Sequence, residues 1–304
     1  LKIAVIFGGT SSEKDISILS GLSVTEALSG KYETEVIHIG EDISILPEKL
    51  LEVDIVFIAL HGGIGENGDM QSFLDLHHIS YSGSAAKASK LAMDKHLSKM
   101  IAKTESVSTP EWILIKSDNY STQLLNQNSI KFDFPYIVKP ADEGSTVGLS
   151  LINYEGEIED AIELAGKYST NILIEEYIPG RELTVGILGT KALPIVEIIP
   201  DNELYDYDCK YTKGKSNYTV PAKLPDATTR KIQDDALKIY KAIGCRHYAR
   251  VDFRLNENNE HYFLEINTLP GMTSTSLLPM AAKAAGLDFP ELIETIIKIA
   301  MVDQ

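Results

Sequence analysis

Three oxygen-bearing side chains late in the chain carry the spacing of a metal site. In YARVDFRL, residues 248–255, strand alternation puts Arg250, Asp252 and Arg254 on one face, with Val251, Phe253 and Leu255 on the other. In HYFLEIN, residues 261–267, Glu265 and Asn267 share a face and Leu264 and Ile266 take the opposite one. The turn NENNE joins the two runs as a hairpin. If the polar faces coincide, Asp252, Glu265 and Asn267 converge as hard oxygen ligands. Such a set suits Mg²⁺, which takes carboxylates together with phosphate oxygens and water. Taken alone, the hairpin fits a solvated sheet face with charge pairs across the strands as readily.

Other stretches bear on that choice. PADEGSTVG, residues 140–148, brackets Ser145 and Thr146 with Gly144 and Gly148, so its N–H groups and hydroxyls could wrap an anion. Lys139 ends an apolar strand just before it, where an ammonium needs a partner, and Lys95 in AMDKHLSK could supply a second cation. Neither segment matches GxxxxGK[ST], which excludes a P-loop. A plain glycine turn and a surface helical lysine are the alternatives for each taken singly. Glu13, in the first turn of a helix, is favoured there by the dipole alone, and His61 in ALHGG reads by itself as an ordinary loop histidine.

The elements that must position these groups alternate in the first third. KIAVIFGG is an apolar strand ending in glycines, and Ser12 with Asp15 reads as a capping pair opening a helix to about Ser29. EVIHIG and DIVFIAL are further strands, Asp69–His77 a helix, and ISYSG a short strand or turn. That order implies a parallel sheet with ligands at the carboxyl ends of its strands, where GGTSS and HGGIGENG lie. A single helix spans about Ala85 to Thr104. PEWILI, PYIVKP and VGLSLI then read as strands, with a helix at Glu157–Lys167. NILIEEYI, ELTVGIL and KALPIVEII follow as strands, and a polar loop spans Asp201–Tyr218. A helix near Thr228–Ile243, the hairpin and two closing helices complete the chain, the last opened by a capping box of Asp288 and Glu291.

Composition narrows the partners. With 304 residues and 44% hydrophobic content the chain suits two or three globular domains. Its apolar runs are too short to cross a bilayer and its opening residues do not read as a secretory leader. Cys209 and Cys245 are the two cysteines, which suits reduced thiols and a cytoplasmic setting. A net charge of −16 argues against a nucleic-acid partner.

Taken in order, GGTSSEKDIS, LHGGIGENG, MDKHLSK, YIVKPADEGSTVG, LIEEYIPGRELTVG, YDYDCKYTKGK, ARVDFR and LEINTLPGMTSTSLLP closely resemble the D-alanine–D-alanine ligases of the ATP-grasp superfamily. The resemblance runs from Ile3 to Gly286. It implies an α/β (mixed α/β and α+β) ATP-grasp fold with three domains. A Rossmann-like N-terminal domain would span residues 1–85, a central domain 86–175 and a C-terminal catalytic domain 176–304, with ATP between the last two.

The resemblance also implies roles. Lys95 and Lys139 would hold ATP phosphates, aided by Lys210 and by Thr146, which stands where Ser is common. Glu175 would accept from the adenine amino group, Glu182 from the ribose hydroxyls, and backbone groups of Glu176–Ile178 would line the adenine pocket. Asp252, Glu265 and Asn267 would hold two Mg²⁺ or Mn²⁺ ions between the β- and γ-phosphates. Glu13 would hold the ammonium of the first D-alanine, with His61 beside it. Arg250 and the Gly271 N–H would stabilise a tetrahedral oxyanion, and Ser276 and Leu277 would receive the second carboxylate at a helix N-terminus. Tyr211, on a lid, would close toward Ser145 and Glu13.

The expected product is D-alanyl-D-alanine for peptidoglycan synthesis, made through a D-alanyl phosphate in the cytoplasm by a homodimer. The alternatives are a ligase forming a D-alanyl ester such as D-alanyl-D-lactate, another ATP-grasp carboxylate ligase, or a non-catalytic nucleotide-binding module. Neither nucleic acid nor membrane is expected as a partner.

Overall fold

A computed structural model describes residues 1–40, 43, 46–118, 130–200 and 216–303. The first strand, β1 (Lys2–Gly8), is flanked in parallel by β2 (Glu33–Ile39) and β3 (Ile55–Ile58), in the order β2-β1-β3. Ile3 to Ile6 are buried completely, as a parallel strand covered on both faces requires. Helix α1 (Lys14–Leu28) packs on this sheet through Gly21, where a Cβ would lie 2.2 Å from the Phe7 ring. Next come α2 (Leu46–Lys49), α3 (Asp69–Leu76), α4 (Ala86–Met93) and α5 (Lys95–Thr104).

The middle sheet is antiparallel, with β4 (Trp112–Lys116), β5 (Tyr136–Pro140), β6 (Ser150–Ile152) and β7 (Asn171–Glu176) in the order β4-β7-β5-β6. Helix α6 (Ile158–Gly166) closes its core through Ile158, Ala161, Ile162 and Ala165. The third sheet, also antiparallel, contains β8 (Arg181–Leu188), β9 (Lys191–Ala192), β10 (Val196–Pro200), β11 (Ser216–Thr219), β12 (Tyr248–Leu255) and β13 (His261–Asn267). Its order is β11-β10-β8-β12-β13, with β9 beside β8. Helix α7 (Asp226–Ile243) buries Ile232, Ala236 and Ile239 against it, together with residues of α4 and α5. Helices α8 (Leu277–Ala284) and α9 (Phe289–Val302) end the chain. Leu292, Ile293 and Ile296 of α9 share a core with Ile3 and Val5, so the two ends of the chain are packed together. Each such aliphatic side chain contributes about 1.5–3 kcal/mol on burial.

Several local expectations are corrected. The first helix begins at Lys14 with Glu13 in the cap position, and no side chain caps it. Ser11, not Ser12, holds the entry turn: its hydroxyl accepts the Glu13 N–H and its carbonyl the Lys14 N–H. The single helix over 85–104 is two helices, because Asp94 is extended (φ −80°, ψ 102°) and its carboxylate caps α5 through the Leu97 N–H. KALPIVEII is two short strands, since Pro194 offers no N–H to a ladder. The expected loop over 201–218 ends in strand β11, and its residues 201–215 lie outside the described residues. The capping box at Asp288 and Glu291 is present with both reciprocal bonds at 2.9 Å.

Candidate active site

The hairpin register brings the polar faces together. Arg250 pairs with Asn267 and Asp252 with Glu265 across the β12–β13 ladder. On its other side Asp252 faces Thr184 of β8, whose hydroxyl donates to Oδ1 at 2.5 Å. Arg250 grips the same carboxylate with Nε at 3.0 Å and Nη2 at 2.9 Å. Beyond Asp252 the register slips, Phe253 pairing with Phe263, which leaves Leu264 as the extra residue of a bulge. Leu264 therefore lines a cavity beside Glu265; strict alternation had assigned it to the far face with Ile266.

Two cavities adjoin this hairpin. One is lined by Glu13, His61, Ser145, Arg250, Asn267, Gly271, Ser276 and Leu277 among others. The other is lined by Lys139, Thr146, Glu175, Glu176, Ile178 and Glu182 among others. Lys95, Gly144 and Glu265 line both, so the cavities meet at one ammonium, one glycine backbone and one carboxylate. Asp252, 8% exposed, stands just behind this junction and lines neither.

The loop between β5 and β6 forms the roof of the junction. Ser145 and Thr146 are both left-handed (φ 49° and 62°), an uncommon setting for residues with a Cβ. The Ser145 hydroxyl donates to the Glu13 carboxylate, 132 residues away. A Cβ at Gly144 would lie 3.1 Å from Glu13 Oε2, so a bare backbone allows this approach. Lys95 opens α5; its N–H donates to the Ala141 carbonyl at 2.8 Å. Its Nζ donates to the Glu143 carbonyl at 2.5 Å and lies 3.2 Å from Glu265 Oε2.

A buried charge cluster underlies the second cavity. Glu175 lies 3.0 Å from Lys139 through Oε1 and 2.7 Å from Lys99 through Oε2. Burial alone would raise the Glu175 carboxyl, but Lys139 and Lys99 together pull it below the ordinary range. Lys99 is wholly buried, donates to Thr109 Oγ1 at 2.7 Å, and is 5.1 Å from the centre of the Trp112 ring. Burial pushes its ammonium down to about 8, against the upward pull of Glu175.

The first cavity is backed by a second polar chain. His61 Nε2 lies 2.9 Å from Ser20 Oγ, and the Met272 N–H donates to that same oxygen at 3.1 Å. His61 Nδ1 lies 3.5 Å from Glu66, whose carboxyl is raised by burial while His61 pulls the other way. At Gly271 a Cβ would sit 2.9 Å from Ser276 Oγ, so a side chain there would displace that hydroxyl. Ser276 precedes α8 and accepts from the Thr273 N–H at 3.1 Å, leaving Leu277 at the first turn.

Tyr211 and Lys210 lie outside the described residues. Several residues of the site were not singled out from the sequence. Lys99 follows Lys95 by one helical turn, a spacing that could have flagged it. Thr184, Glu66, Ser20 and Leu264 join the site through long-range pairing or a bulge, for which the sequence carries no local signal.

Comparison with known proteins bears on all of this. A family profile described as D-ala D-ala ligase C-terminus matches residues 101–298, and one described as D-ala D-ala ligase N-terminus matches residues 42–84. The D-alanine–D-alanine ligase of Halalkalibacterium halodurans is 41% identical, with 99% of each chain covered. That of Aquifex aeolicus is 43% identical over 98% of this chain and 100% of its own length. Among solved structures, the D-alanine–D-alanine ligase of Bacillus anthracis complexed with ATP superposes with a TM-score of 0.85 at 34% identity, over 100% of this chain and 98% of that one. The VanG D-Ala:D-Ser ligase of Enterococcus faecalis does so with a TM-score of 0.83 at 29% identity, over 98% and 99%. The fold is ATP-grasp, and the chain belongs to the D-alanine–D-alanine ligase family.

Proposed function

We propose that this chain joins two D-alanine molecules to D-alanyl-D-alanine at the expense of ATP, supplying a peptidoglycan precursor. The observation that carries the reading is the meeting of two cavities at Lys95, Gly144 and Glu265. A reaction that moves a phosphoryl group from nucleotide to carboxylate needs two such compartments with a cationic, glycine-lined junction.

In this reading the nucleotide lies in the cavity of Lys139, Glu175, Glu176, Ile178 and Glu182, its phosphates beneath Thr146 and beside Lys95. A carboxylate oxygen of the first D-alanine attacks the γ-phosphorus, the bond to the bridging oxygen breaks, and ADP leaves. Glu13, already hydrogen-bonded by Ser145, holds the ammonium of that substrate, with His61 behind it. The amine of the second D-alanine, having lost a proton, attacks the acyl carbon. The Gly271 N–H and Arg250 stabilise the oxyanion, and phosphate departs with the electron pair of the broken C–O bond and takes up the proton that the nitrogen sheds. Ser276 and Leu277, at the N-terminus of α8, receive the second carboxylate. Lys210 and Tyr211 would complete the phosphate grip and the lid over this network.

The donor set fits Mg²⁺. Asp252 and Glu265 are paired across one ladder with Asn267 two residues on, all hard oxygen donors. In this structure Arg250 and Lys95 balance the two carboxylates, and cations bound with ATP would share that task. Bound there, two Mg²⁺ ions would neutralise the β- and γ-phosphate charge that repels an incoming carboxylate.

The reading further takes the enzyme as a cytoplasmic homodimer with domains at 1–85, 86–175 and 176–304. Three separate sheets support three units, with α4 and α5 packed on the third sheet and α9 in the core of the first. No described helix is long and apolar enough to cross a membrane. The test is product analysis with ATP, D-alanine, D-lactate and D-serine at equal concentration. D-alanyl-D-alanine with stoichiometric ADP is expected; D-alanyl-D-lactate or D-alanyl-D-serine as the main product would sink the dipeptide assignment. ADP release independent of D-alanine would sink the ligase reading altogether.

A further inference from the structure

We propose that Arg254 is a positioning residue that makes the enzyme discriminate the ribose of its nucleotide, by locking the linker between the middle and third sheets and aiming Glu182. The linker, residues 177–180, leaves β7 at Glu176 and enters β8 at Arg181. One guanidinium reaches most of it. Arg254 Nε donates to the Ile178 carbonyl at 3.0 Å and Nη2 to the Gly180 carbonyl at 3.0 Å. Nη2 also lies 3.4 Å from the Tyr177 hydroxyl, and the guanidinium carbon is 5.5 Å from the Tyr177 ring centre. Nη1 lies 3.5 Å from Glu182 Oε2, and Glu182 is the cross-strand partner of Arg254 in the β8–β12 ladder.

These contacts share one rigid plane. Arginine presents five donors in a fixed fork, whereas lysine offers the same charge from a single point. At 9% exposure the fork is shielded from water that could otherwise replace it. The linker has little freedom elsewhere: Gly180 has φ +127°, and a Cβ there would lie 2.2 Å from the Leu255 carbonyl. Tyr177, Ile178, Glu182 and Arg254 all line the second cavity, so the linker and the carboxylate it carries face the bound molecule together. Carbonyl contacts alone would describe a structural brace. The added approach to Glu182 ties that brace to a group facing the ligand.

The inference rests on the reading that ATP occupies this cavity with its ribose hydroxyls at Glu182. Its test therefore uses binding without D-alanine. Dissociation constants of ATP and 2′-deoxy-ATP are measured by calorimetry, with Mg²⁺, for the full chain, Arg254→Lys and Arg254→Met. A ratio of two affinities does not depend on the folded fraction, so partial misfolding of a variant does not blur it. The full chain is expected to prefer ATP by roughly tenfold or more, the scale of a hydrogen bond to a charged group. Both variants are expected to bind the two nucleotides within about threefold of each other. Arg254→Lys retaining the full ratio would overturn the proposal, because charge alone would then suffice. So would equal weakening of both nucleotides with the ratio intact, the mark of a purely structural brace. Failure of the full chain to bind either nucleotide would sink both readings. D-alanine-independent turnover would count against the reaction only, since the ratio decides Arg254.

Discussion

Ser20 Oγ stands 2.9 Å from His61 Nε2 while accepting the Met272 N–H at 3.1 Å, so one buried hydroxyl joins α1, the loop after β3 and the loop after β13. A hydroxyl has a single proton to give. Given to His61 Nε2, it leaves the imidazole proton on Nδ1, directed at Glu66 3.5 Å away. The histidine is thereby oriented by the same atom that fixes the backbone next to Gly271.

Ser20→Ala removes that atom and leaves two buried polar groups without it, at a cost of about 1–3 kcal/mol in stability. Because His61 and Gly271 line one cavity, kcat/KM for D-alanine should fall at least tenfold while the affinity for ATP is unchanged. Steady-state kinetics at saturating ATP, with a binding assay for ATP alone, check this. A lowered melting temperature with unchanged kcat/KM would reduce Ser20 to a packing role.

The contrast between Ser20 and Asp252 shows what a sequence makes legible. Period-two alternation put Asp252 on one face of its strand and Glu265 with Asn267 on one face of theirs, and the observed pairing of Asp252 with Glu265 brings those faces together. Alternation cannot announce where it fails, so the bulge that turns Leu264 toward the nucleotide-side cavity was invisible. Asp94 reads as an ordinary helical residue until its cap bond to Leu97 is seen. The bond from Met272 to Ser20 spans 252 residues, and no local pattern encodes a contact at that separation. The charge cluster below Glu175 was half legible: Lys139 stood out at a strand end, while Lys99, one turn beyond Lys95, was not singled out.

Lys99 should leave a mark on the pH dependence of stability. Its folded ammonium is pushed down to about 8 from 10.5, so between those values the unfolded chain binds more protons than the native one. Stability therefore gains on the order of 3 kcal/mol from this group as pH rises from about 8 to above 10, and the gain is absent at neutral pH. Glu175, Lys139 and Lys103 face it, and Thr109 and the Pro110 carbonyl accept from it. Lys99→Met should lack the rise, so the difference between the two proteins should widen with pH. Urea unfolding at pH 7.5, 9 and 10 measures it. A difference that stays constant or narrows would show that Lys99 is not the group titrating.

The metal reading makes the most demanding prediction. Glu265→Gln keeps the side-chain shape and the β13 pairing but removes the charge opposite Asp252. Lys95 would lose its 3.2 Å partner yet keep the Glu143 carbonyl, so the junction should stay assembled. Turnover should fall by ~10²–10³, the usual cost of one electrostatic contact made in a transition state. A second readout separates metal binding from chemistry. If Glu265 helps hold Mg²⁺ with ATP, adding Mg²⁺ to the ATP complex should raise the melting temperature of the full chain and leave the variant close to its value in EDTA. Equal stabilisation of both proteins by Mg²⁺, or near-normal turnover of the folded variant at limiting Mg²⁺, would remove Glu265 from the metal site.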